Sequence, residues 1–147
     1  MTYGIWFEAH AQRHRHVMEK LSHLTRDEVI AYFRFEHLKA NEPDFCPLFA
    51  EGTKCHDTAE LNCYFCACPY FRFCDEGVGT VDGKVLYSYC AVDAKEGRRF
   101  ETDTAIHQDC SACTLPHRAS FIRKHFTRNW RDAMCDCTAC GENLKEN

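Results

Sequence analysis

Twelve of the 147 residues in this chain are cysteine, and most of them fall in tight groups. Cys63, Cys66 and Cys68 lie close together and are followed by Pro69 and Cys74. Cys110 and Cys113 form a C-x-x-C pair, with His117 shortly after. Cys135, Cys137 and Cys140 crowd the C-terminal end, and Cys46 and Cys55 precede the first group. Thiolates this close in sequence converge readily on a metal, because short chelating loops cost little closure entropy. These cysteines and His117 are the candidate metal ligands. Cys90 stands apart in a predicted strand and reads as a buried structural thiol.

A disulfide framework is the competing reading, since this cysteine content approaches that of small secreted proteins. Three features weigh against it. Met1 to Lys20 has no apolar stretch of the kind that directs secretion, which predicts a cytoplasmic protein. The C-x-C spacings Cys66-Ala67-Cys68 and Cys135-Asp136-Cys137 would require a separate distant partner for each sulfur. Disulfide-dense folds are also loop-rich, whereas long amphipathic stretches occur here.

The other chemistry-bearing residues are weaker signals. His10, His14 and His16 fall on a helical stretch and are expected at solvated or core-edge positions. His56 follows Cys55 directly and is a candidate ligand or hydrogen-bond donor to one. Glu51, Asp57, Glu60 and Asp75 lie near the ligand segment, where a metal-dependent enzyme would need a general base. Arg118, Arg123, Lys124, Arg128 and Arg131, interspersed with Phe126 and Trp130, form a basic stretch best read as a solvated helix face. The net charge of −4 gives no general case for nucleic-acid binding. No apolar run is long enough to span a bilayer. A protein partner is the expectation instead.

The elements that must position the cysteines follow from periodicity. Trp6, His10, His14, Val17 and Leu21 predict a first helix. Thr25-Arg26-Asp27-Glu28 matches a capping box and opens a second, carrying Val29, Ile30, Phe33 and Leu38. Residues 45–74 show little periodicity and are expected to be ordered by their ligands. Asp82-Gly83 predicts a hairpin turn between strands 78–81 and 84–92, with another turn at Lys95-Glu96-Gly97. Ser120 is expected to cap a third helix running through Trp130. The result is a small α+β fold: an irregular cysteine-rich core with a β-hairpin or meander, flanked by an N-terminal helical hairpin and a C-terminal helix. The divisions are 1–44, 45–118 and 119–147.

The pattern Cys46-Pro47, Cys55-His56, Cys63-Tyr64-Phe65-Cys66-Ala67-Cys68-Pro69-Tyr70, Cys74, Asp109-Cys110-Ser111-Ala112-Cys113 and Pro116-His117-Arg118 resembles the cysteine-rich small domain family. That family is a zinc-finger-like group of metal-binding proteins found mainly in anaerobic archaea and bacteria. The resemblance covers about Phe45 to Arg118 and implies a shared ligand core of Cys63, Cys66, Cys68, Cys74, Cys110, Cys113 and His117. It carries no defined activity.

Coordination chemistry admits two metals. Zinc would suit Cys110, Cys113 and His117 with one thiolate from the first group. Iron–sulfur clusters want four thiolates, although no ferredoxin C-x-x-C-x-x-C-x-x-x-C-P run occurs here. The excess of Cys over His, the aromatic residues Tyr64, Phe65, Tyr70, Phe71 and Phe73, and the family's anaerobic associations favour iron–sulfur, as one or two 4Fe-4S clusters. The functional expectation is a non-catalytic carrier of electrons or an accessory subunit, with a zinc-stabilised interaction module and a metal-dependent enzyme as alternatives.

Overall fold

A computed structural model describes residues 2–140 of the chain. Its architecture is small α+β, with six α-helices and two small sheets among the described residues. Helix α1 (Tyr3–Lys20) opens at Thr2, whose hydroxyl accepts the Ile5 N–H. It buries Phe7, His10, Ala11, His14, Val17 and Met18, a stripe at three- and four-residue spacing. His10 and His14 are therefore core residues and not solvated or core-edge ones. His14 stacks on Phe33, and His10 stacks on Trp6.

Helix α2 (Arg26–Tyr32) begins at the expected capping box, with both reciprocal hydrogen bonds formed by Thr25 and Glu28. The expected single second helix is broken, and α3 (Phe35–Asn41) starts anew. The break has a physical cause. Phe33 C=O accepts the Cys63 N–H at 2.9 Å, and Leu61 C=O accepts the Phe35 N–H at 2.9 Å. Arg34 thereby forms an isolated bridge with Asn62. The backbone leaves the helix in order to hold the first cysteine loop.

A short helix α4 (Leu48–Glu51) ends at Gly52, which takes φ 67° and turns the chain back. Two sheets follow. Strand β1 (Phe71–Phe73) pairs antiparallel with β4 (Ser88–Cys90). The second sheet has the order β2-β3-β6-β5, built from β2 (Gly79–Val81), β3 (Lys84–Leu86), β5 (Arg98–Glu101) and β6 (Ala105–Asp109). Asp82 and Gly83 both have positive φ, which matches the twist of the β2–β3 hairpin. The long second strand of that hairpin divides at Tyr87. Residues 84–86 pair with β2 and β6, while 88–90 cross to β1.

The third helix also divides. Helix α5 (Ala119–Lys124) starts one residue before Ser120, has no side-chain cap and ends at His125. A separate turn, α6 (Trp130–Ala133), is capped by Asn129. The main core joins Phe7, Phe33, Tyr64, Ile122, Trp130 and Cys137, so it draws on all three sequence segments. No helix among the described residues is long and apolar enough to cross a membrane.

Candidate metal centre

The loop carrying Cys63, Cys66 and Cys68 is fixed from three sides before any ligand is considered. Asn62, 1% exposed, donates its side-chain amide to Ile30 C=O at 2.8 Å and accepts the Tyr64 N–H at 2.9 Å. His14 Nε2 donates to Tyr64 C=O at 3.1 Å. Trp130 Nε1 donates to Cys66 C=O at 3.0 Å. A buried backbone group must find a partner, and here the helices supply it. The loop then turns sharply, because Ala67 and Cys68 take φ 87° and 62°. Two consecutive non-glycine residues in the left-handed region are costly and mark a functionally constrained backbone.

Beside this loop lies a cavity of about 560 Å³. Cys55, Cys66, Cys68, Cys90, Cys110 and Cys113 all face it, together with His56 and His117. Strand β4 delivers Cys90, and the 3₁₀ turn Leu115–His117 delivers His117. Aromatic residues Tyr3, Trp6, Tyr70 and Phe71 complete the wall. Among the described residues no carboxylate lines the cavity: Glu51, Asp57, Glu60 and Asp75 are exposed elsewhere.

Burial and mutual repulsion act on these thiols together. Burial pushes the Cys63 thiol up, with Cys66, Cys55 and Cys46 adding to it. Cys66 is pushed up to about 12 by burial and by Cys55 and Cys46, and Cys55 is raised by burial and Cys46. Cys110 is raised to about 11 by burial and then by Cys68, Cys113 and Cys90. Cys68 is raised by burial and by Cys90 and Cys113, and the N–H groups of Tyr70 and Phe71 oppose this by stabilising its thiolate. A cation is what would let such thiols ionise together.

The two histidines are oriented as metal ligands usually are. His117 Nδ1 donates to Asn62 C=O at 2.9 Å, which leaves the lone pair on Nε2. His56 Nε2 donates to Cys110 C=O at 2.8 Å, and its Nδ1 lies 3.2 Å from Cys55 Sγ. Burial lowers His117 to about 4, so it is neutral at neutral pH. Among the described residues, Cys55, His56 and His117 are the group whose donor atoms gather within 4.8 Å.

The structure brings some of the expected ligand residues to one cavity and places others elsewhere. Cys55, Cys66, Cys68, Cys110, Cys113 and His117 line the cavity, whereas Cys63 is buried in the main core and Cys46 packs against that core. Cys74 and Cys140 leave the expected set, because their sulfurs are joined in a disulfide. Cys137 is buried against Met134 and the Cys68 carbonyl, and Cys135 is exposed. Cys90 enters the cavity instead of being a lone structural thiol. Spacing could not reveal it, because the β1–β4 pairing alone brings it there. The basic stretch is largely held within the fold: Arg118 pairs with Glu96, Arg123 with Asp27 and Arg131 with Glu8, while Arg128 donates to Leu24 C=O.

The chain matches no protein-family model, no curated protein and no solved structure. The resemblance to the cysteine-rich small domain family accordingly rests on its residues alone.

Proposed function

We propose that this chain is a metal-binding protein that holds iron–sulfur cofactor in its cysteine-lined cavity and carries electrons or serves as an accessory subunit to a redox enzyme. The observation that supports it is the convergence of six thiols from four separate segments on one aromatic-walled cavity. The residues fit such a group. Thiolates are the ligands of iron–sulfur clusters, and the apolar wall would shield a cluster from water and tune its potential. Iron–sulfur centres supply one-electron chemistry, while this chain's own residues bind, orient and exclude solvent.

The compact Cys55/His56/His117 group favours a second reading. Four thiolate or imidazole donors around one zinc ion stand about 3–4 Å apart, given ligand distances of about 2.0–2.3 Å. With one neighbouring thiolate the group would complete a structural zinc site, and the helices would then recruit a protein partner.

Metal and acid-labile sulfide analysis of protein purified without oxygen, with a visible spectrum, separates the two. Iron and sulfide in near-equal amounts are expected. Zinc without sulfide or colour would replace the redox reading with the scaffold reading. Full-length protein with neither metal would overturn both.

A further inference from the structure

We propose that this chain pairs with a second copy of itself through strand β5, joining the two four-stranded sheets edge to edge in antiparallel register about Phe100. Strand β5 closes the order β2-β3-β6-β5, so among the described residues its outer edge has no strand beside it. All four of its residues are exposed, and Phe100 keeps 55% of its surface in solvent. The backbone fixes which groups that edge offers. Ile106 C=O accepts the Tyr87 N–H, Thr104 C=O accepts the Val85 N–H, and the Gln108 N–H donates to Ser88, so these backbone groups turn toward β3 and β4. Ala105, His107 and Asp109 therefore face β5, where His107 and Asp109 stand opposite Phe100 and Arg98. Thr102 N–H reaches Ala105 C=O at 2.9 Å in the same ladder. Alternation along an antiparallel pair then leaves the N–H and C=O groups of Arg99 and Glu101 directed outward. An open edge with free backbone groups is a template for another strand.

Charge selects both the register and the partner. Pairing must set Arg99 and Glu101 of one copy at hydrogen-bonded positions against the same residues of the other. Two-fold registers centred on Arg99 or on Glu101 place like charges directly opposite each other, which is destabilising. Centring on Phe100 places each Arg99 opposite Glu101 of the second copy, and each residue of the pair donates to and accepts from the other. The two Phe100 rings then meet at a non-hydrogen-bonded position, where facing side chains stand closest. Arg99 Nε lies 3.7 Å from a Glu101 carboxylate oxygen within one chain, so both side chains share a face. Phe100 lies on the opposite face beside His107, with ring centroids 6.3 Å apart, and His107 stacks on Tyr87 at 5.1 Å. The pairing extends this aromatic row of Tyr87, His107 and Phe100 across both sheets. Charged residues commonly keep an edge strand from pairing. Here they disfavour the neighbouring registers and favour the one that matches Arg with Glu, the self-complementary pattern that a two-fold dimer requires.

The surface joined is small, so association belongs to the weak, concentration-dependent class. It does not depend on what the cavity holds, and its failure leaves the metal-binding reading untouched. The test is sedimentation equilibrium of the full chain over a wide concentration range. A thiol reductant is kept present, because Cys55 and Cys135 are exposed and could otherwise link two chains. A reversible monomer–dimer equilibrium is expected. Arg99→Glu and Glu101→Arg should each raise the dissociation constant about tenfold or more, since each sets like charges opposite one another. Mixing the two variants should restore association, because each then presents the charge that the other lacks. Arg99→Glu combined with Glu101→Arg in one chain should dimerise as the wild type does. These side chains are exposed, so the variants keep the fold, which circular dichroism checks. A chain that stays monomeric at every concentration would overturn the proposal. A dimer that ignores either substitution, or that mixing fails to restore, would overturn it equally.

Discussion

Acidification should unfold this protein through two histidines that take no part in the cavity. His10 and His14 are 2% and 0% exposed on the buried face of α1. Burial is the main cause that lowers His10 to about 3 and His14 to about 4, from an ordinary value of 6.5. The folded state therefore keeps both rings neutral, while the unfolded chain binds their protons below pH 6.5. Their contribution to stability is intact above pH 6.5 and declines as pH falls toward the folded values. Each proton costs about 1.4 kcal/mol per pH unit, so between pH 6.5 and 5 each ring forfeits about 2 kcal/mol and the pair about 4 kcal/mol. That is a large part of the roughly 5–15 kcal/mol that holds a domain together. The perturbation is His10→Met with His14→Met, methionine being adaptable enough to fill either space. Denaturant unfolding at pH 8 and pH 5 gives the loss of stability on acidification for wild type and variant. Both proteins carry the same thiols, so protonation of those groups cancels in the comparison. The wild type should lose about 4 kcal/mol more than the double variant. Equal losses would refute the reasoning, because the buried rings would then not be the groups that resist protonation.

Two further substitutions probe the positioning of the cysteine loop. Asn62→Ala leaves the Tyr64 N–H without a partner in the core and removes one of the two hydrogen bonds that the Ile30 carbonyl accepts, the other coming from the Phe33 N–H. It should cost about 2–4 kcal/mol in denaturant unfolding, and a cost below about 1 kcal/mol would show that the bridge is dispensable. Ala67→Gly removes the Cβ from a residue held at φ 87° and should raise stability by up to about 1 kcal/mol. The same change at Ala11, inside α1, should lower it by about 1 kcal/mol or more, and equal effects at both positions would argue against strain at Ala67.

Local signals were legible in the sequence where local physics decides the structure. The α1 stripe, the Thr25 capping box and the Asp82-Gly83 turn each depend on residues within a few positions of one another, and each formed. The misread elements were settled by distant partners. The helix after Thr25 breaks because Cys63, thirty residues away, needs the Phe33 carbonyl. The helix after Ala119 stops at His125, and the chain re-enters the core where Trp130 reaches the Cys66 carbonyl. His10 and His14 looked polar by type, yet the rings pack as aromatics against Trp6, Phe33, Phe45 and Trp130. Cys90 gave no signal because its neighbours are assigned by strand pairing.

The source of order around the thiols separates this fold from one that a metal must assemble. Residues 45–74 lack periodicity, and the expectation was that ligands would order them. Their backbone is instead tied to the protein: Cys63 to Phe33, Asn62 to Ile30 and His117, Cys66 to Trp130, and Phe73 to Cys137. The C-terminal residues share in this, since Met134 and Cys137 are wholly buried and Ala139 N–H donates to Phe73 C=O at 3.0 Å. A zinc finger gains its core by binding metal, whereas here an aromatic core already holds the loop from Cys63 to Cys68. Thiols held in place by such a core would lose little further entropy on ligating a metal, which is the physical meaning of a preorganised site. The strained turn at Ala67 and Cys68 is intelligible on the same terms. A backbone cost of about 1–2 kcal/mol per left-handed residue is tolerable where a surrounding core over-determines the loop.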